Sequence, residues 1–289
     1  MFDNLLTAFT QMPWLFLATV FLLGLMVGSF LNVVIYRLPL MMQREWRREC
    51  LEFLEQDSEG ETERFNLMWP RSRCGECGHA ITALENIPVV SWLLLRGRCS
   101  QCGTRISWQY PLVELFTAIV SITVAWRFGV SEQTAAALLF SWALIAMSGI
   151  DIGHKLLPDS LTLPMLWLGI LLAFFHVFVD LESSVIGAMA GYLSLWSVYI
   201  VFKLITGKEG MGHGDFKLLA MLGAWMGWKM LLVIILTSSL VGATIGILMI
   251  LLRKTSRNTQ IPFGPYLAAA GWIALLWGDA LNRFFFSLV

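Results

Sequence analysis

Charge is scarce in this sequence. Only 14% of the 289 residues are charged, against about a quarter in a soluble globular chain. That shortage excludes a disordered chain, a coiled coil and an ordinary cytosolic enzyme. Neither sign is in excess, because twenty Lys and Arg balance twenty Asp and Glu, so nothing points to a nucleic-acid partner. Internal repeats and low-complexity tracts are missing. The N-terminus lacks the basic stretch of a signal peptide and no A-x-A site follows its first apolar run, which therefore reads as a retained span. No strand followed by GxGxxG is present, so a Rossmann-type nucleotide site is not expected. Cysteine is sparse, with five in all, yet four of them fall in two CxxC pairs.

Apolar residues fill the space that charge leaves. They make up 57% of the chain, and the mean hydropathy is +0.70. A helix needs about 20 apolar residues to cross the hydrocarbon core of a bilayer. Stretches of that kind lie near 13–38, 111–128, 134–150, 160–179, 185–205, 215–228, 230–252 and 263–286. The fold class expected is an all-α polytopic membrane protein with about eight transmembrane helices. The stretch 215–228 is short, and only Gly227-Trp228-Lys229 separate it from the next, so seven spans remain an alternative. With eight spans, one side of the membrane receives 39–110, 151–159, 206–214 and 253–261. That side then holds or flanks seventeen of the twenty Lys and Arg, leaving Arg127, Lys229 and Arg283 opposite. This asymmetry places the first side in the cytoplasm and both termini outside. Three domains follow: a first span at 1–38, a cytoplasmic segment at 39–110, and a membrane domain at 111–289 with about seven helices.

Segment 39–110 opens with Trp46, Cys50, Phe53 and Leu54 at helical spacing, then turns acidic and loop-like around 55–64. Beyond that loop, Cys74-Gly-Glu-Cys77 and Cys99-Ser-Gln-Cys102 are separated by 21 residues, and each is followed by glycine. A CxxC turn aims two thiolates at one ion, so two such turns predict a closed tetrahedral zinc site of four sulfurs. A pair of disulfides or a redox dithiol is the rival, and a cytoplasmic location disfavours it. With every position filled by sulfur, the zinc is expected to be structural. Cys50 stands outside the pattern and reads as a small buried residue.

Two carboxylates stand out because charge at the edge of a span is costly. Asp151 ends the third span and Asp215 begins the sixth, an even number of crossings apart, so both face the cytoplasm. A helix C-terminus disfavours an anion at Asp151 and a helix N-terminus favours one at Asp215. Two carboxylates in such unlike settings can share a proton and polarise a water, as in aspartic proteases. Asp159, in Pro158-Asp159-Ser160, is placed to N-cap the fourth span. Gly210, Gly212 and Gly214 let the chain before Asp215 approach another backbone closely. That stretch lacks the lysine and hydroxyl of a P-loop. His154 and His213 read as loop residues. Lys155, Lys208 and Lys217 fit membrane anchoring as well as substrate binding. Glu114, near the start of the second span, lines a polar cavity, caps or packs.

The stretch Gly212-His213-Gly214-Asp215-Phe216-Lys217, with Ile150-Asp151 and Leu157-Pro158-Asp159, resembles the bacterial type IV prepilin peptidases, or leader peptidase/N-methyltransferases. GSFLNVVIYRLP at 28–39, ENIPVVSWL at 85–93, both CxxC pairs, YPLVEL at 110–115 and IPFGPYLA at 261–268 extend that resemblance over nearly the whole chain. It implies an inner-membrane enzyme that cuts the leader from prepilins and pseudopilins at the cytoplasmic face. The new N-terminal amine is then methylated with S-adenosylmethionine. By position, Asp151 and Asp215 take the catalytic roles, while no residue is matched to the methyl donor. Apart from the resemblance, a transporter with Asp151 and Asp215 as proton or ion sites stays open. It would place them nearer mid-span and commonly show inverted repeats. A nonenzymatic scaffold organised by the zinc segment stays open too.

Overall fold

The computed structural model describes residues 2–56, 64–252 and 262–286. The acidic loop expected at 55–64 lies mostly outside them, and the basic stretch 253–261 wholly so. Among the described residues every regular element is a helix, and the extended chain forms only isolated bridges. The chain divides into two compact units, Met1–Val130 and Ser131–Val289. The division falls one helix later than the boundary at 110/111 expected from the soluble segment.

The first unit contains α1 (Phe2–Gln11), α2 (Pro13–Phe53), the short α3 (Val90–Leu94) and α4 (Gln109–Phe128). Helix α2 has 41 residues and is about 60 Å long, twice the thickness of a hydrocarbon core. It runs on through Pro39 because MMQREW and the residues after it are mostly good helix formers. The end of the membrane span is therefore not the end of the helix. Its outer half leaves Trp46, Phe53 and Leu54 exposed, and Cys50 is exposed as well, contrary to the burial expected of it. Helices α2 and α4 run antiparallel, as Gly24 meets Ala118, Gly28 meets Glu114 and Asn32 meets Tyr110. A Cβ on Gly24 would stand 2.7 Å from the Ala118 Cα, and one on Gly28 would stand 2.6 Å from the Glu114 Cα. This Gly-x-x-x-Gly stripe lets the two backbones touch, which is how helices associate where lipid supplies no hydrophobic drive. It explains why α4 belongs with α2.

Buried polar groups join the extramembrane chain to this helix pair. Arg37 is buried and donates to the carbonyls of Asn66 at 2.9 Å and Pro70 at 2.6 Å. Asn32 donates to the Tyr110 carbonyl at 3.0 Å. Glu114, also buried, accepts the Val89 backbone N–H at 2.7 Å, so it is a tether rather than a cavity wall.

The second unit contains α5 (Glu132–His154), α6 (Asp159–Phe174), α7 (Leu181–Thr206), α8 (His213–Met226), α9 (Leu231–Leu251) and α10 (Gly264–Phe286). Ser131 caps α5 by accepting the Thr134 N–H, and Asp180 caps α7 by accepting the Ser183 N–H. A short 3-10 turn, Trp228–Met230, separates α8 from α9, so the two apolar stretches there are distinct helices. Helix α8 is the centre of the unit. From Asp215 to Gly227 every residue but Lys217 is buried. At 14 residues it is about 21 Å long, short for a lipid-exposed span but suited to an interior helix that is apolar all round. Gly187 of α7 faces Gly223 of α8, and a Cβ on Gly191 would meet the Leu219 carbonyl oxygen at 2.6 Å. On other faces of α8, Gly169 of α6 lies on Trp225 and Gly271 of α10 lies on Leu222.

Across the described residues, helices occupy all eight apolar stretches. Five are long and apolar enough to cross a membrane: Pro13–Phe53, Gln109–Phe128, Glu132–His154, Leu181–Thr206 and Trp228–Met249. Helix α6 is apolar but has only 16 residues.

Candidate active site and metal centre

Asp151 sits in the last turn of α5, which closes on Lys155 in the left-handed conformation, with the Lys155 N–H donating to the Asp151 carbonyl at 2.9 Å. Asp215 is the third residue of α8, whose N-cap position is Gly212. The Asp215 N–H donates to the Gly212 carbonyl at 3.2 Å. Both carboxylate residues are buried, 5% exposed at Asp151 and 8% at Asp215, and they lie within electrostatic reach of each other.

Three chain segments converge on them. The backbone N–H of Gly264, at the start of α10, donates to Asp151 Oδ2 at 3.0 Å. A Cβ at Gly264 would stand 2.6 Å from that same oxygen, so only glycine leaves room for the contact. Gly212 lies beside Asp215, where an added Cβ would come 3.8 Å from Oδ2. Leu157, between α5 and α6, packs against both Gly214 and Gly264 and thereby joins the entry to α8 with the entry to α10. Two buried carboxylates that converge in this way are the kind of pair with which aspartic proteases polarise a water. Gly264 and Leu157 carry no chemical signal of their own in the sequence. The stretch IPFGPYLA was visible only through resemblance, and the contact it makes spans 113 residues.

The other candidates are placed apart from this contact. Asp159 is the first residue of α6 and the N-cap position belongs to Pro158, which has no side-chain acceptor. Asp159 instead pairs with Lys217 Nζ, at 2.7 Å to each carboxylate oxygen. The capping role expected of it is thus replaced by an ion pair between the starts of α6 and α8. His154, Lys155 and Lys208 are exposed. His213 belongs to a ring cluster with Tyr199 at 5.2 Å and Phe216 at 5.4 Å.

In the first unit, Cys74, Cys77, Cys99 and Cys102 bring four sulfurs within 4.8 Å of one another. Cys74 and Cys102 are 3.8 Å apart, and Cys77 and Cys99 are 3.9 Å apart. None of the four is in a disulfide. Tetrahedral zinc at about 2.3 Å from each sulfur sets edges of roughly 3.8 Å, so the geometry fits that ion. The two CxxC turns are built alike. Gly78 and Gly103 each have φ +71°, and their N–H groups return to the carbonyls of Cys74 and Cys99 at 3.0 Å. The cysteine N–H groups then reach His79 and Thr104, and short bridges at Arg73–Ala80 and Arg98–Arg105 close the hairpins. Glu85 fastens one turn to the other. It accepts from the Ser100 hydroxyl on one side and from the Thr82 N–H and hydroxyl, both at 2.8 Å, on the other, with His79 at 3.2 Å. The Ser100 hydroxyl, followed by the Thr82 groups, holds the Glu85 carboxyl down to about 2.

Comparison with known proteins gives a consistent result. Residues 22–128 match the family model described as the bacterial peptidase A24 N-terminal domain, and residues 138–247 match the type IV leader peptidase family. Each match lies within one compact unit. A prepilin leader peptidase/N-methyltransferase from Stutzerimonas stutzeri is 58% identical over 270 residues, covering 93% of each chain. The protein of that name from Aeromonas hydrophila is 58% identical over 277 residues, covering 96% of each. The one from Pseudomonas aeruginosa is 57% identical over 271 residues, covering 94% of this chain and 93% of its own. No solved structure matches.

Proposed function

The chain belongs to the prepilin leader peptidase/N-methyltransferase family, and from that premise we propose how its residues divide the work. It is a membrane enzyme that removes the leader peptide from type IV prepilins and pseudopilins and methylates the N-terminus so exposed. The observation that carries the hydrolytic assignment is the pair Asp151 and Asp215. Both are buried, both sit at helix ends, and glycine backbone meets each of them.

Cleavage follows aspartic-protease logic. One carboxylate of the pair, ionised, takes a proton from a water held between the two. The water oxygen bonds to the scissile carbonyl carbon, while the other carboxyl, protonated, hydrogen-bonds to the carbonyl oxygen. As the tetrahedral intermediate collapses, the C–N bond breaks and the proton taken from the water passes to the leaving amine. The products are a leader with a new carboxylate and a pilin with a free N-terminal amine. That amine is the nucleophile of the second reaction, for which S-adenosylmethionine supplies the methyl group. Coupled carboxylates titrate as a pair, so the proton belongs to the site as a whole. The cytoplasmic orientation of the site rests on the skew of Lys and Arg among the connections.

Cys74, Cys77, Cys99 and Cys102 would hold zinc through four thiolates, and the ion would supply folding energy without entering the chemistry. Its role is to order the chain between α2 and α4.

Purified protein mixed with a prepilin and S-adenosylmethionine tests the reading. The expected outcome is a shortened pilin carrying one methyl group at its N-terminus. Unchanged prepilin, with proton or ion flux through vesicles holding the protein, would instead establish the transporter. Unchanged prepilin without flux would leave the scaffold.

A further inference from the structure

The helix that carries Asp215 begins without a side-chain cap. The N-cap position of α8 is Gly212, which has no side chain to accept the first N–H groups. Glycines occupy positions 207, 210, 212 and 214 on the way in, and each adds backbone freedom that a fixed carboxylate cannot tolerate. Catalytic groups need their geometry held to within a fraction of an ångström. From Asp215 onward α8 is held by burial and by the Lys217–Asp159 pair, and Leu157 packs on Gly214, so it is the loop before Gly212 that needs a contact of its own.

The structure places one in the middle of this loop. Glu209 Oε1 accepts from Lys203 Nζ at 2.8 Å and from the Tyr199 hydroxyl at 3.2 Å, while Lys203 Nζ also donates to that hydroxyl at 3.2 Å. The lysine ammonium holds the Glu209 carboxyl below the usual carboxylate range. Lys203 and Tyr199 lie on the last turns of α7, so the triad ties the loop to a rigid helix. Beside Glu209, Gly210 sits on the Phe202 ring, where an added Cβ would come within 2.8 Å. The far side of Tyr199 carries the restraint onward. The Tyr199 ring is buried and packs against His213 at 5.2 Å and Phe216 at 5.6 Å, the residues two before and one after Asp215.

We propose that Lys203, Tyr199 and Glu209 form a positioning triad that sets the Gly207–Gly212 loop, and through it holds Asp215 in register with Asp151. The inference rests on the assignment of Asp215 to cleavage. The Lys203 and Glu209 side chains are 46% and 67% exposed. Ion pairs that open contribute little to global stability. The triad therefore acts on the rate of the reaction and leaves the melting temperature almost unchanged, which a purely structural role would not do.

The test measures kcat and KM for prepilin cleavage together with thermal melting, using the full-length protein in detergent. Glu209→Gln is expected to lower kcat about two- to fivefold, the most that a largely exposed ion pair can contribute, with KM and melting close to wild type. Lys203→Glu is expected to do the same. The double variant with Lys203→Glu and Glu209→Lys, which restores the pair in reverse, should recover most of the lost kcat. Full kcat in Glu209→Gln overturns the proposal. So does a loss matched by lower melting, or a well-folded double variant without recovery, which would mean that Glu209 meets the substrate itself. Asp215→Asn runs alongside. If it still cleaves, the assignment of Asp215 fails; if it is inactive while Glu209→Gln is normal, only the triad fails.

Discussion

A single hydrogen bond, from the Gly264 N–H to Asp151 Oδ2, shows how narrowly the site is built. An alanine there would bring its Cβ to 2.6 Å from the accepting oxygen, so the carboxylate has to rotate or α10 has to retreat. Gly264→Ala is therefore expected to lower cleavage at least tenfold while the protein stays folded and membrane-inserted. Gly153→Ala, in the same turn of α5 as Asp151, is the matched comparison, because nothing lies within 4 Å of its Cβ position. It should cleave at the wild-type rate. Equal activity of the two variants, measured as cleaved prepilin per unit of inserted protein, would remove Gly264 from the site. Asp151 and Asp215 stand out in the sequence because ionisable groups at span edges are rare and costly, and the structure buries both at helix ends. Gly264 was not, since its importance comes from a partner 113 residues away. Asp159 was misread for a related reason. Pro158-Asp159-Ser160 resembles a cap locally, but the helix starts at Asp159 itself and Lys217, 58 residues on, takes the carboxylate. Cys50 was misread because the helix carrying it runs on well beyond its membrane stretch and leaves the thiol exposed.

Helices follow closely from the apolar runs, because a backbone in lipid must satisfy its own hydrogen bonds. Their pairing was less legible. The α2–α4 contact depends on Gly24 and Gly28, a Gly-x-x-x-Gly signal that can be read from sequence once its partner helix is known. The α7–α8 contact depends likewise on Gly187, Gly191 and Gly223. Gly191→Ala should push α7 away from the Leu219 backbone and cost about 1–3 kcal/mol, as overpacking does. The readout is a lower temperature of thermal aggregation in detergent, and an unchanged temperature would show that the two helices separate freely. The CxxC turns were the most legible element, since spacing, following glycines and sulfur chemistry agree. Serine at both Cys74 and Cys77 should release zinc and unfold the residues around 70–105 locally. Methylation should then fall much further than cleavage if this segment shapes the methyl-transfer step. Bound zinc, cleaved pilin and methylated product from one preparation decide it. Full methylation without zinc would contradict that role.

For the molecule as a whole, the distribution of Lys and Arg supplied an orientation that packing alone does not contain. If 151–159 and 206–214 share the cytoplasmic side, reporter fusions or cysteine labelling at both should give cytoplasmic signals. A periplasmic signal near Gly210 would put the two aspartates on opposite faces. The division into two compact units was not legible, because in the sequence the soluble segment interrupts the membrane part after its first span, whereas α4 packs back on α2. The central claim is that Asp151 and Asp215 work as one hydrolytic pair. The most direct test measures prepilin cleavage by Asp151→Asn and by Asp215→Asn, each at matched membrane insertion, and supplies the same preparations with pilin already cut. The account predicts no leader removal by either variant and continued methylation of the cut pilin by both. Leader removal at a near-normal rate by either variant would contradict it.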